Sequence, residues 1–559
     1  MRFALLAILL LFFSVFFIYP LFYVAEQSVW INGHFDLTFF KLLLTHPIAR
    51  QGISNSFQLA LVVTLLTTLI SFPLALIFQR YQFLGKRIFS GLLLLPLIIP
   101  PFVGAIGFKQ LLARFGSVNL IMLKFGLITQ PLDWLGAAGF WGVVILETLH
   151  LYPIMYLNLT ASLANLDPSL EEAASSLGAK PFHRWRTVTL PLMVPGYFAG
   201  AIIVFLWSFA DLGTPLIFEY RKVVPVMIFE MVTDMAENPM GYALVVSVLL
   251  LTILLFIASK KIGGQKGYAS LTRKTELTVL PKQDKNKGLA FLRSSVLPLL
   301  LIVLIFISVL PHIGVILTSF SEEWFMTILP AKWTLKYYHA VFAHPLAASS
   351  IRNSLMLSTA STILDIFIGV SVAYLVARKK IKGAVLLDIL TMLSLTIPGL
   401  ILAFGYVTCF SGTILDPRVN PFPLLIIGYS IRRLPYMVRS AYAGFLQCSV
   451  TLEEASSSLG AKPRQTFFWV TFPLIFMHVL VGSVLAFAFA MLEVSDSLIL
   501  AMQEKYYPIT KAIYALLGRI TDGPGIASAM GVLGMGILVI SFLIASRLLG
   551  KRMGDLFKV

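Results

Sequence analysis

Charged side chains are scarce in this sequence. Asp, Glu, Lys and Arg make up 12% of its 559 residues, against about a quarter in an ordinary soluble domain. The shortage runs the whole length, which argues against a soluble protein with a single apolar tail. Cysteine is nearly absent. Cys409 and Cys448 fall in or near apolar stretches and read as small buried hydrophobes, not as a disulfide or metal pair. No G-x-x-x-x-G-K-[ST] phosphate loop occurs; the nearest stretch, GGQKGYASLTRKT, lacks the Gly before Lys. The chain is therefore not expected to hydrolyse ATP or to carry a bound cofactor. H-E-x-x-H and G-x-S-x-G are missing as well, so no catalytic residue is assigned and an enzyme is not expected. Despite a net charge of +17, no basic run interleaved with aromatics and no nucleic-acid motif is present, so nucleic acid is not an expected partner.

What fills the sequence instead is hydrophobic side chains, 58% of the total. Stretches of about 20 apolar residues, the length that crosses a bilayer as a helix, fall at twelve places. Spans 1 to 6 are at about 3–25, 53–79, 88–112, 140–164, 189–217 and 241–262; spans 7 to 12 are at about 295–318, 354–377, 384–408, 423–446, 471–500 and 525–548. Backbone groups in lipid must satisfy one another, so each span is expected to be helical. The first has a basic start but no A-x-A site after its apolar run, and is expected to be a retained span in contact with lipid. Arg80, Lys86 and Arg87, Arg378, Lys379, Lys380 and Lys382, the basic stretch 260–293, and Arg547, Lys551 and Arg552 lie on one side if both termini are cytoplasmic.

The two halves repeat. SNS at 54–56 answers RNS at 352–354, and PLIIPPFVGAIGF at 96–108 answers LTIPGLILAFGY at 395–406, at a spacing of 298 residues. With six spans per half, both copies have the same orientation, a parallel repeat. The expected fold is an all-α membrane protein of about twelve helices in two parallel six-helix repeats. Its divisions are a first membrane domain at 1–262, a cytoplasmic linker at 263–293 and a second membrane domain at 294–559.

One polar stretch is written twice: EEAASSLGAKP at 171–181 and EEASSSLGAKP at 453–463. In the first copy Asp167 suits an N-cap, Pro168 the first helical position, and Glu171 and Glu172 the positive helix end. Gly178 is placed for a left-handed C-cap. Lys180-Pro181 then forces a turn, and a second short helix leads to Leu190-Pro191. The second copy has Ser449 at the cap and keeps the same spacing from Gly460 to Pro473. Each copy predicts a compact helix–turn–helix on the cytoplasmic side, small enough to seat in another protein's cleft.

Both stretches resemble the EAA motif of bacterial ABC importer permeases: E-A-A, then Gly, then nine residues, an aliphatic residue, any residue, and Leu-Pro. Glu172, Ala173, Ala174, Gly178, Val188, Leu190 and Pro191 fit, as do Glu454, Ala455, Gly460, Val470 and Pro473; Ser456 and Phe472 depart mildly. The resemblance implies a multi-pass protein of the bacterial inner membrane with two partners. One is a separate ATPase that consumes the ATP, expected in two copies as the motif is doubled, docking at 167–186 and 449–468. The other is an extracytoplasmic solute-binding protein. The residues it assigns to ATPase coupling are Glu171, Glu172, Ala173, Ala174, Gly178, Pro191, Glu453, Glu454, Ala455, Gly460 and Pro473. FADLGTPLIF at 209–218 resembles the ferric-iron type of fused permease; permeases for thiamine, 2-aminoethylphosphonate or polyamine are the alternatives.

Ionisable residues within spans are candidates for a translocation pathway, because holding a charge in lipid costs about 2.5 kcal/mol or more. Asp211 in span 5 corresponds to Glu493 in span 11, with Asp496 one turn on. The two repeat-equivalent carboxylates either form an acidic constriction for a cation or cap broken helices. Glu147 and His150 lie one turn apart in span 4, and Arg432 and Arg433 near the matching part of span 10. Structural pairing is the simpler reading of those charges, and no metal ligands are assigned. Asp365 is a further candidate, and His478 reads as packed or hydrogen-bonded. Pro100 and Pro398, at repeat-equivalent places, interrupt spans 3 and 9 and are candidate gate-lining breaks. The rival from another class is an ion-coupled secondary transporter that moves protons on Asp211, Glu147 or Glu493 and needs no ATPase.

Overall fold

The computed structural model describes residues 2–31, 33–136, 139–164, 166–232, 240–264, 296–378, 383–519 and 521–549. Among these, nine helices are long and apolar enough to cross a membrane, including Phe3–Val29, Pro47–Arg80, Phe140–Ala164, Pro345–Arg378 and Gly523–Leu548. They correspond to every expected span except 3, 9 and 10. Spans 3 and 9 are bent pairs: Lys86–Leu97 with Pro101–Lys124 at 90°, and Ala384–Thr396 with Gly399–Cys409 at 102°. Span 10 is a 26-residue helix, Phe422–Gln447, whose Arg432, Arg433 and Arg439 make it less apolar than the rest.

The bends have a local cause. Proline's ring crowds the residue before it out of the helical region. Ile99, before Pro100, has ψ 126°, and Ile397, before Pro398, has ψ 125°. Each proline then opens a new helix as its N-cap. Pro73, Pro153 and Pro435 sit inside helices without such a break.

The described residues divide into two compact units that interleave along the chain. One comprises Met1–Gly52, Arg221–Leu249 and Val315–Lys551. Its core includes Val370 and Ala373 of span 8, Met437, Ala441 and Phe445 of span 10, and Ile475 and Val479 of span 11, all buried. Span 1 packs within this unit: Tyr406 Oη donates to the carbonyl of Phe16 at 2.7 Å, and Phe16 meets Phe410 at a ring separation of 6.0 Å.

The other unit comprises Ile53–Tyr220 and Leu250–Gly314, with Arg552–Val559 outside the described residues. Ser71 Oγ donates to the carbonyl of Tyr152 at 2.7 Å, and Tyr152 Oη to that of Leu93 at 3.0 Å, which fixes spans 2, 3 and 4 together. His312, in the last third of the span 7 helix Leu297–Ser319, is buried against Gly104. Small residues at such contacts let helices approach closely where lipid offers no hydrophobic drive to association. The expected linker lies outside the described residues beyond Gly264, as do Lys379, Lys380, Lys382, Lys551 and Arg552.

Two short hairpins were not anticipated. Trp30–Ile31 pairs with His34–Phe35 after span 1, and Ser321–Glu323 pairs with Lys332–Trp333 after span 7.

Candidate functional site

Each copy of the duplicated stretch folds as the helix–turn–helix its residues predict. In the first, Asp167 caps the helix Pro168–Ser176, its Oδ1 accepting from the amide of Ser169 at 2.9 Å. Gly178 has φ +81°. The amides of Gly178 and Ala179 close the helix end on the carbonyls of Ser175 and Ala174, at 2.9 and 3.0 Å. In the second copy Ser449 caps Val450–Ser458, and Gly460 has φ +85°. The amides of Gly460 and Ala461 repeat the closure on Ser457 and Ser456, at 3.0 and 3.2 Å. Only glycine takes this left-handed conformation without steric cost.

The residue before each glycine stands far into solvent: Leu177 is 88% exposed and Leu459 is 89% exposed. Glu172, Ala173, Glu454 and Ala455 are exposed too. Phe182 in the first copy, and Phe468 and Trp469 in the second, extend the outward apolar surface. Each copy thus exposes a leucine tip, small residues and a carboxylate to solvent.

Glu171 and Glu453 have a different role from their neighbours. Glu171 Oε1 accepts from Arg80 Nη2 at 3.0 Å and from Thr189 Oγ1 at 2.5 Å. Glu453 Oε1 accepts from Arg378 Nε at 2.9 Å, and Arg378 Nη2 donates to the carbonyl of Cys448 at 2.6 Å. Both acids are turned inward to the end of the long helix preceding them in the membrane. Sequence reasoning used Arg80 and Arg378 only as markers of orientation. Their separation of 298 residues, identical to that of SNS and RNS, was the signal that they are equivalent.

The second short helix does not end at Leu190-Pro191. It runs into span 5 through a π turn, Trp185–Thr189, ahead of the helix Leu190–Ala210. In the second copy Phe467–Thr471 leads into Phe472–Met491 in the same way. Proline lacks an amide hydrogen and its ring clashes with the carbonyl four residues back. The wider turn before Pro191 and Pro473 accommodates both. Spans 5 and 11 consequently begin earlier than their apolar character shows, in helix that starts at Pro181 and Pro463.

The buried carboxylates fall in different surroundings. Asp211 follows the end of a helix and caps the next, accepting from the amides of Gly213 at 3.3 Å and Thr214 at 3.0 Å. Glu147 is buried and accepts from Ser208 Oγ, while its Oε1 has no hydrogen-bond partner among the described residues. His150 pairs with the carbonyl of Pro96 at 2.6 Å.

In the other unit Glu493 accepts from Arg432 Nη1 at 2.5 Å and from Arg433 Nη2. A methyl group at Gly399 would displace the Arg432 guanidinium, so the bent span 9 approaches this cluster closely. Asp496 is buried, and neither of its carboxylate oxygens has a hydrogen-bond partner among the described residues. Asp365 Oδ1 accepts from Ser430 Oγ at 2.6 Å. His478 pairs with Gln447 Oε1 at 3.3 Å. Among the described residues no group of three or more His, Cys, Asp or Glu could hold a metal ion.

The chain is similar to known proteins along most of its length. A family model described as binding-protein-dependent transport system inner membrane component matches the chain twice, at residues 68–263 and 365–555. The ferric transport system permease protein FbpB of Actinobacillus pleuropneumoniae is 29% identical over 94% of this chain and 75% of its own length. The Fe(3+)-transport system permease protein FbpB 2 of Haemophilus influenzae is 25% identical over 83% of each chain. The molybdate/tungstate transport system permease protein WtpB of Pyrococcus furiosus is 34% identical over 34% of this chain and 73% of its own. With two family matches, two EAA-like segments and helices long enough to cross the membrane many times, the chain belongs to the binding-protein-dependent transport system inner membrane component family, as an ABC importer permease.

Proposed function

We propose that this chain is the fused permease of an ATP-driven importer for ferric iron. The observation that carries the cargo is the likeness to two ferric permeases, extending over 94% and 83% of the chain. A separate ATPase, in two copies, docks at 167–186 and 449–468, where each leucine tip and exposed Glu172 or Glu454 reaches into a cleft. An extracytoplasmic binding protein delivers the cargo to the outer face, and both termini are cytoplasmic. Closure of the ATPases presses on the two segments and switches the spans between inward- and outward-facing states. This chain supplies no nucleotide chemistry; it converts movement of its partner into a change of access.

The breaks at Pro100 and Pro398 line the gate. Asp211, Glu147, Glu493 and Asp496 lie along the pathway. Of these four, Glu147 and Asp496 have oxygens without a hydrogen-bond partner among the described residues, and hard oxygen donors suit a hard cation. Arg432 and Arg433 would favour an anion, but both are engaged by Glu493. That pairing weighs against a phosphonate site.

Two measurements test the reading. The purified chain is expected to bring an ATPase with it. In proteoliposomes with that ATPase and the binding protein, labelled ferric iron is expected to enter in preference to thiamine, 2-aminoethylphosphonate or a polyamine. A chain that transports alone under an ion gradient would be a secondary transporter and would sink the proposal.

A further inference from the structure

The two duplicated segments are tied to the membrane helices by a repeated ion pair. Arg80 is the last residue of Pro47–Arg80, and Arg378 the last of Pro345–Arg378. Each reaches the first glutamate of its own segment. The arginines are 298 residues apart and the glutamates 282, because the first half has a longer loop between them. The pairing is therefore the same in both halves although the intervening chain differs in length, so it does not follow from position in sequence.

The two ties are unequal. Arg80 and Glu171 side chains are 42% and 38% exposed, whereas Arg378 and Glu453 are 7% and 17% exposed. Arg378 also holds the carbonyl of Cys448, the residue that ends span 10, and its guanidinium lies 5.8 Å from the centre of the Phe445 ring. It thus joins the end of span 8, the end of span 10 and the first turn of the second segment. On the first side, Thr189 in the π turn shares Glu171; its counterpart Thr471 turns instead to the carbonyl of Thr466. A pair in water is loosened by solvent and salt, while a shielded, charge-assisted one holds its geometry.

We propose that Arg80 and Arg378 are positioning residues that carry movement of the coupling segments into spans 2 and 8, and that the Arg378–Glu453 tie is the stronger transmitter. This rests on the reading of those segments as the ATPase-docking sites.

The test uses the full chain assembled with its ATPase and binding protein in proteoliposomes, with labelled ferric iron as probe. Arg378→Ala and Glu453→Gln are expected to keep the ATPase bound but to lose about five-fold or more in iron taken up per ATP hydrolysed. Arg378→Lys is expected to restore part of that ratio, and Arg80→Ala to lower it less than Arg378→Ala. Glu453→Gln leaves the bond from Arg378 to Cys448 possible, so it still reports if Arg378→Ala fails to fold. A wild-type ratio in Glu453→Gln overturns the proposal. So does loss of the bound ATPase from it, which would make the pair a docking element. A wild-type chain that binds no ATPase defeats the functional reading itself, a separate result.

Discussion

Gly178 and Gly460 are the clearest case of a residue whose chemistry was legible before its structure. A glycine ahead of Lys-Pro, after a capped helix, predicts a left-handed end, and both have φ above +80°. An added Cβ would touch nothing within 4 Å at either place. The cost of alanine there is therefore conformational, about 1–2 kcal/mol for each left-handed residue. Substituting both glycines is expected to depress uptake while leaving the amount of protein in the membrane unchanged; normal uptake would contradict the coupling role.

The buried charges were less legible. Sequence spacing identified Asp211 and Glu493 as equivalents but not their different fates, one a helix cap and the other an arginine partner. Glu493→Gln leaves two arginines in the interior short of a counter-charge and is expected to destabilise the chain by about 3–5 kcal/mol. Asp496 makes no hydrogen bond among the described residues but lies in the field of Arg432 and Arg433, so Asp496→Asn is expected to cost less than Glu493→Gln. Thermal unfolding in detergent separates the two outcomes.

Lys511 was overlooked altogether. It lies between spans 11 and 12, donates to the carbonyl of Leu498 at 2.7 Å and sits over the rings of Phe229 and Tyr507. Burial pushes its amine down to about 8. A cation whose folded value is depressed binds fewer protons folded than unfolded, so its contribution to stability rises with pH between about 8 and the free value near 10.4. Lys511→Met is expected to flatten that rise, read as the midpoint of thermal unfolding against pH.

At the scale of elements, the long apolar spans were readable because a bilayer sets their length. The bends at Pro100 and Pro398 were readable because proline acts on its immediate neighbour. The hairpins were not: strands of two or three residues carry no periodicity. The starts of spans 5 and 11 were missed because the residues ahead of Leu190-Pro191 and Phe472-Pro473 are partly polar, whereas the helix runs on through them by way of a π turn. Pro473→Ala restores an amide and removes the ring, so the helix is expected to close to ordinary α geometry. One residue fewer in the turn rotates what precedes it by about 100°. A cysteine in place of the exposed Trp469 is expected to change its labelling by a membrane-impermeant maleimide when Pro473 is replaced. Unchanged labelling would mean that the turn does not depend on proline.

For the whole molecule, the repeat was plain in the sequence and the course of the units was not. Packing does not have to follow chain order, and here each unit draws on both halves. Fragments 1–262 and 294–559 expressed separately are each expected to be degraded, since the first lacks His312 against Gly104 and the second lacks Phe16 beneath Tyr406. Expressed together they are expected to accumulate. Stable membrane insertion of either fragment alone would show that the missing helix is dispensable.

The π turns stand at the same place in both copies. In a pair of identical chains every contact occurs twice in the same form. Two different copies within one chain are free of that rule, and here one arginine is 7% exposed while its twin is 42% exposed. The inequality of the two ties is a property that no symmetric pair could have.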